Sequence, residues 1–427
     1  MSLFVILTNL LVFILSKINS YSVRSGISMP WDLIRRNFKT SNQENFHKDS
    51  HSQNNNYQEL FATMKLDHFS PGNSETFKMR VLVSSKYYQE GGPILFYCGN
   101  EGPITDFWDV SGFLTDNLAE ELNGLVIFAE HRFFGESFPR NQTKQDYDIN
   151  KNKFLTVEQT LADFSVFLQK FVKEYSLPEL TPIIAFGGSY GGMLASWGRM
   201  KFPHVYAGAI ASSAPILLFE DIDKISNNFF RIATDTFKRY DEKCPSYIRQ
   251  GFNELFNIRN STLHMSNHNI INELNDIFKP CKEIRDKDDV ALLENSLEGA
   301  IIFIAQYNYP YNYSFGEQKM PANPAKVACE NANKTIFKRF SRLLTGMESF
   351  TFKKYNLMEK DVKNNLMRLK VASDVFFNNT GAASCIDIGN DKSKIDLNGW
   401  DFQACTEMIM PMQKKELQIC LILNCGI

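Results

Sequence analysis

The sequence predicts an α/β fold, a mostly parallel sheet covered by helices on both faces. Three observations predict it. Apolar runs of strand length alternate with helical segments between residues 57 and 216. The run 182–186 enters a glycine turn with a serine at its apex and leaves it as a helix. From about residue 217 the apolar positions fall at helical intervals instead, as they would in an insertion lying over the sheet. At 427 residues the chain exceeds the size at which one hydrophobic core stops growing, so a core with an insertion is the natural division.

Residues 1–20, "MSLFVILTNLLVFILSKINS", hold an apolar run from Leu3 to Leu15 that is short for a membrane span, followed by a small residue at Ser20. They read as a secretory signal peptide. Residues 21–56 are polar and rich in Ser, Asn, Gln and His, and read as a leader or pro-segment in which His47 and His51 are solvated rather than metal-bound. The N-terminal part of the core, 57–216, carries strands at 77–85, 92–100, 124–132, 182–186 and 206–216. Its helices fall at 106–123, 156–175 and 190–202. A helical cap is expected over 217–392, a return to the core over 393–412 and a divergent tail over 413–427.

The formal net charge of −2 supplies no long-range attraction to nucleic acid or acidic membranes. Five glycosylation sequons, at Asn141, Asn260, Asn312, Asn333 and Asn378, agree with export. Of eight cysteines only Cys98 precedes residue 244, and no C-x-x-C pair occurs, so disulfides are expected and zinc is not. Nothing in the sequence calls for another metal or a cofactor.

Gly187-Gly188-Ser189-Tyr190-Gly191 satisfies G-x-S-x-G in the strand-to-helix context that gives the motif meaning. A nucleophile lifted onto such a turn leaves little room, so its neighbours two residues away must lack a Cβ. Ser189 is therefore the candidate nucleophile and the Tyr190 N–H, at a helix start, the candidate oxyanion donor. A second donor should come from the loop after an earlier strand. "YCGNEGP" (97–103) is placed for it, with Gly102 as donor and Asn100 and Glu101 lining the site. His131 ends another strand, but it precedes Ser189, the wrong order for the base of this fold's triad, and a structural hydrogen bond is expected of it.

Long blocks extend this motif: "LDHFSP" (66–71), "FYCGNEGPI" (96–104), "FAEHRFFGESFP" (128–139), "FLTVEQTLADF" (154–164), the stretch 186–216 and "GWDFQACTEMIMP" (399–411). Together they resemble the lysosomal Pro-X carboxypeptidase and dipeptidyl peptidase II family of serine peptidases. The resemblance implies an α/β-hydrolase core with a helical cap, and an exopeptidase acting through a serine acyl-enzyme on peptides with proline near a terminus. It implies a lysosomal or extracellular location, and it leaves room for a homodimer. It also implies cap disulfides Cys244–Cys329 and Cys281–Cys385.

In this fold the triad runs Ser, then Asp or Glu, then His, and the family places the last two well beyond the "GWDFQACTE" block. The last histidine here is His268, in "STLHMSNHN" with His264; His204 follows the nucleophile's own helix. The expectation is therefore a C-terminally incomplete, inactive form of such a peptidase, its core lacking the last strands. A non-catalytic secreted homologue with a binding or regulatory role is the alternative.

Overall fold

A computed structural model describes residues 46–48, 56–139, 152–217, 219, 228–261, 268–315, 318–334, 358–388 and 397–408. The expected signal peptide, Asn141, His51, His264 and the tail 413–427 lie outside the described residues.

Among the described residues seven strands form one sheet: β1 (Phe46–Lys48), β2 (Gln58–Lys65), β3 (Thr76–Ser84), β4 (Ile94–Cys98), β5 (Leu125–Ala129), β6 (Ile183–Gly188) and β7 (Gly208–Ser212). Their order is β1-β2-β3-β5-β4-β6-β7. The first three and β5 are linked by antiparallel pairs, whereas β5, β4, β6 and β7 run parallel. This is the α/β-hydrolase arrangement. Every residue of β5 is buried because the sheet is covered on both faces, and the two-residue period sorts its side chains between them.

Ile94, Phe96, Cys98, Ile127 and Ala129 face one core cluster, closed by α2 (Val157–Glu174) through Phe164, Phe167 and Phe171. The opposite face presents Leu95, Val126 and Phe128 to Ile104 and Trp108 of α1 (Ile104–Asp109) and to Leu114 and Leu118. The helix α2 is capped by Thr156, whose side chain accepts the Gln159 N–H.

Three features before β7 depart from the expected elements. β2 had no strand expected for it: its buried residues Leu60, Ala62 and Met64 are good helix formers, and only their alternation marks the strand. β1 lies inside the span read as a polar leader and adds a strand beside β2. The single helix expected over 106–123 is broken after Asp109, where the Ser111 hydroxyl donates to the Phe107 carbonyl at 2.6 Å; the chain resumes as a π-helical turn, Phe113–Leu118.

Among the described residues, six helices lie between β7 and the chain's return to the sheet: α4 (Asn228–Lys238), α5 (Cys244–Asn260), α6 (His268–Phe278), α7 (Lys287–Gln306), α8 (Pro324–Asn333) and α9 (Lys360–Phe377). They enclose a hydrophobic core of their own, separate from the sheet clusters. A hairpin of β8 (Tyr313–Phe315) and β9 (Gln318–Met320), not anticipated in a helical cap, packs Met320 into it. Both implied disulfides are formed, Cys244–Cys329 and Cys281–Cys385. The chain then returns to the sheet as α10 (Leu397–Thr406), with Trp400 packed against the sheet core. No described helix is long and apolar enough to cross a membrane.

The cap depends on a close crossing of α5 and α9: a Cβ on Gly251 would lie 2.4 Å from the Leu369 Cβ and 2.9 Å from the Asn365 carbonyl oxygen. Gly251→Ala is therefore expected to destabilise the protein by about 1–3 kcal/mol, read as a lower urea midpoint of unfolding.

Candidate active site

β6 delivers Ser189 to an exposed position at the start of α3 (Tyr190–Lys201), with φ 54° and ψ −123°. That left-handed conformation costs a non-glycine residue about 1–3 kcal/mol and persists only where surroundings impose it. Here the Ser189 N–H is held by the Ser212 carbonyl of β7 at 3.0 Å, and the Ser189 carbonyl accepts the Met193 N–H at 3.1 Å. The flanking glycines are required by contact. A Cβ on Gly187 would fall 2.0 Å from the Gly191 carbonyl oxygen, and one on Gly191 would lie 2.8 Å from the Cys98 carbonyl oxygen. Gly188 meets nothing within 4 Å, so the turn's space constraint falls on the two outer glycines. Tyr190 opens the helix, where first-turn N–H groups have no intrahelical acceptor and the helix dipole favours negative charge.

The loop after β4 runs beside this turn. Gly99 is pressed to β5, its N–H on the Ala129 carbonyl at 2.9 Å. Asn100 and Glu101 are both buried, and the Asn100 Nδ2 donates to Glu101 Oε2 at 2.9 Å. The Asn100 Oδ1 is buried without a hydrogen-bond partner among the described residues and stands 3.1 Å from where a Gly191 Cβ would be. Burial raises the Glu101 carboxyl above its ordinary range, opposed by the Asn100 amide and its own backbone. The Gly102 N–H donates to the Asn100 carbonyl at 2.8 Å, so the expected second donor is engaged within its own loop.

Behind Ser189 lies a buried polar cluster only partly visible in the sequence. His131 Nδ1 faces the Arg132 carbonyl at 2.6 Å; since a carbonyl can only accept, Nδ1 carries the proton. Its Nε2 is then an acceptor, and the Tyr190 hydroxyl donates to it at 2.9 Å. The same phenol oxygen accepts Gln403 Nε2 at 2.6 Å, and Trp400 lies 5.4 Å from the Tyr190 ring. The "GWDFQACTE" block thus reaches the nucleophile turn through one tyrosine.

Glu130, next along, accepts Arg80, the Ile104 and Glu136 N–H groups and the Ser137 hydroxyl. Gly135, at φ 58°, lets the chain wrap that carboxylate: a Cβ there would be 1.9 Å from Glu130 Oε1. Arg132 binds Asp163 bidentately at 2.6 and 2.8 Å and also reaches the Leu66 carbonyl, while His68 Nε2 meets the same aspartate at 2.7 Å.

These contacts account for the histidines near the turn. His131 has the structural hydrogen-bonding role read for it, His68 is engaged by Asp163, and His204 is exposed beside Phe202. His268 opens α6 and His47 lies in β1. Among the described residues, no histidine or carboxylate hydrogen-bonds the Ser189 hydroxyl. Of the sequons, Asn260, Asn312 and Asn333 are exposed, whereas Asn378 is half-buried with both ends of its amide on the Ala383 backbone.

Strand order, a strained exposed serine between two obligatory glycines, and a helix N-terminus behind it define a serine hydrolase of the α/β-hydrolase class. The sequence model of the serine carboxypeptidase S28 family matches residues 64–420, and the chain belongs to that family. Similar proteins include the lysosomal Pro-X carboxypeptidase of Mus musculus, 35% identical over 83% of this chain and 66% of that protein. Its Bos taurus counterpart is 33% identical over 92% of this chain and 70% of its own length. The prolyl carboxy peptidase like protein 5 of Caenorhabditis elegans is 33% identical over 83% of this chain and 66% of that protein. The chain thus spans about two thirds of the length of the curated relatives it matches.

Burial pushes His131 down to about 4 from its ordinary 6.5. The unfolded chain therefore binds the His131 proton more tightly. The neutral ring's contribution is complete above pH 6.5 and is lost as pH falls toward about 4, by up to about 3 kcal/mol. The stability gap between the parent and His131→Gln is expected to narrow over that window, measured by urea unfolding at stepped pH.

Proposed function

We infer that the chain carries the acylation site of a serine exopeptidase that cuts peptides next to proline. The observation that carries this reading is Ser189 itself, exposed, at φ 54° and at the head of α3. Its Oγ attacks the scissile carbonyl carbon, the hydroxyl proton passes to a base, and the carbonyl oxygen becomes an oxyanion beside the Tyr190 N–H; the base then gives the proton to the scissile nitrogen, whose bond to carbon breaks so that the amine leaves and the acyl-enzyme forms. Water then releases the acyl group. Gly102 joins Tyr190 only if its N–H leaves the Asn100 carbonyl. Asn100 and Glu101 line the substrate side. The names of the relatives favour Pro-X carboxypeptidase chemistry over dipeptidyl release. A proline at the cut, with fixed φ and no N–H, needs a pocket rather than strand-like docking. Two cap disulfides and the exposed sequons support a lysosomal or extracellular setting.

Among the described residues the turn supplies the proposed nucleophile and oxyanion donor and no histidine meets the Ser189 hydroxyl, so turnover by the 427-residue chain is tested separately from acylation at Ser189. Losing the histidine of a serine protease lowers kcat by about 10⁶. Two preparations are compared on a Pro-X peptide, the 427-residue chain and the protein purified from its native source, each with its Ser189→Ala counterpart. Mass spectrometry of the C-terminal peptides records what the native protein contains. Expected are cleavage by the native protein, its loss in Ser189→Ala, and turnover by the 427-residue chain no faster than its own Ser189→Ala form. Native protein that hydrolyses acyl esters but no prolyl peptide contradicts the specificity. Native protein inert toward both supports the binding or regulatory alternative.

A further inference from the structure

The cap segment joining α7 to β8 reads Tyr307-Asn308-Tyr309-Pro310-Tyr311-Asn312-Tyr313. Aromatic side chains this dense ordinarily belong to a core, yet Tyr309 and Tyr311 are 41% and 58% exposed. Their rings lie parallel, 5.4 Å apart and 3° from coplanar, and Tyr313 meets Tyr309 edge-on at 5.2 Å. Tyr307 anchors the set by stacking on Phe303 of α7 at 4.3 Å.

The backbone beneath the rings is pinned. The Tyr309 N–H donates to the Tyr307 carbonyl at 2.8 Å, and the Asn323 N–H to the Tyr309 carbonyl at 2.6 Å. The Tyr313 hydroxyl donates to the Tyr307 carbonyl at 2.9 Å, and Asn312 Oδ1 accepts the Ala322 N–H at 2.8 Å. Exposed aromatic rings on a fixed backbone are a contact surface that loses little entropy on binding.

We propose that Tyr309 and Tyr311, held by Tyr307 and Tyr313, form a docking platform for a proline-containing peptide in extended polyproline-II form, with the pyrrolidine rings packed on the exposed tyrosine faces. Aromatic surfaces recognise such segments because the extended form is pre-ordered and its rings offer flat apolar faces. The occupant rests on the reading of the protein as a peptidase acting near proline.

The test uses the whole chain carrying Ser189→Ala, freed of N-glycans because the Asn312 sequon lies within the loop. Two peptides are titrated by calorimetry, one of alternating alanine and proline, the other all alanine. The proline peptide should bind at least about tenfold more tightly, and Tyr309→Ala with Tyr311→Ala should remove that preference. Both substituted residues are exposed, and thermal unfolding confirms that the variant is folded. Equal binding of the two peptides by the parent overturns the proposal, as does unchanged proline preference in the folded double variant. Because Ser189→Ala does not turn over, neither result bears on the hydrolysis assay, where the peptidase reading itself stands or falls.

Discussion

The close return of the chain after β6 is the constraint on which the site depends. Gly187 and Gly191 are so near that a methyl group on the first would overlap the carbonyl of the second. That closeness forces Ser189 into a left-handed backbone and lifts it out of the sheet. It places Ser189 at the start of α3, whose first N–H groups have no intrahelical acceptor. It also draws the loop after β4 against the turn, because Gly191 abuts the Cys98 carbonyl and the Asn100 amide. The exposed serine, the helix start beside it and the buried loop of Asn100 therefore follow from a single short-range steric condition, on which the proposed nucleophile and oxyanion donor depend.

The strain needs support, and it is supplied from buried polar groups rather than from apolar packing alone. Tyr190 is anchored through its hydroxyl to His131 on one side and Gln403 on the other, which ties together the end of β5, the start of α3 and the returning helix α10. Arg132 and Glu130 extend the same support outward, each saturated by several partners. Removing one member of such a cluster leaves its partners buried and unpaired, which costs more than the bond itself. The segment "EHRFFGES" is thus a frame for the turn rather than a set of reacting groups.

Much of this was legible in the sequence. The strands β3 to β7 announce themselves as apolar runs bounded by turns, and the serine turn by its glycines. The cap disulfides came from a resemblance, since spacing cannot choose among cysteine pairings. β2 was hidden because Leu60, Ala62 and Met64 favour helix, and only pairing with β3 decides the matter. The Tyr190–Gln403 bond joins residues far apart in sequence, and a glutamine in a helix carries no mark of that use. The engagement of Gly102 by Asn100 is a property of loop conformation, and residue types alone do not specify it.

The family match spans residues 64–420, and within them the strained turn singles out Ser189 as the proposed nucleophile. The direct measurement is a crystal structure of the natively purified protein after reaction with a fluorophosphonate. The account predicts phosphorus bonded to Ser189 Oγ, with the phosphoryl oxygen accepting the Tyr190 N–H. An unmodified Ser189, or an adduct whose oxygen points away from the start of α3, would contradict it.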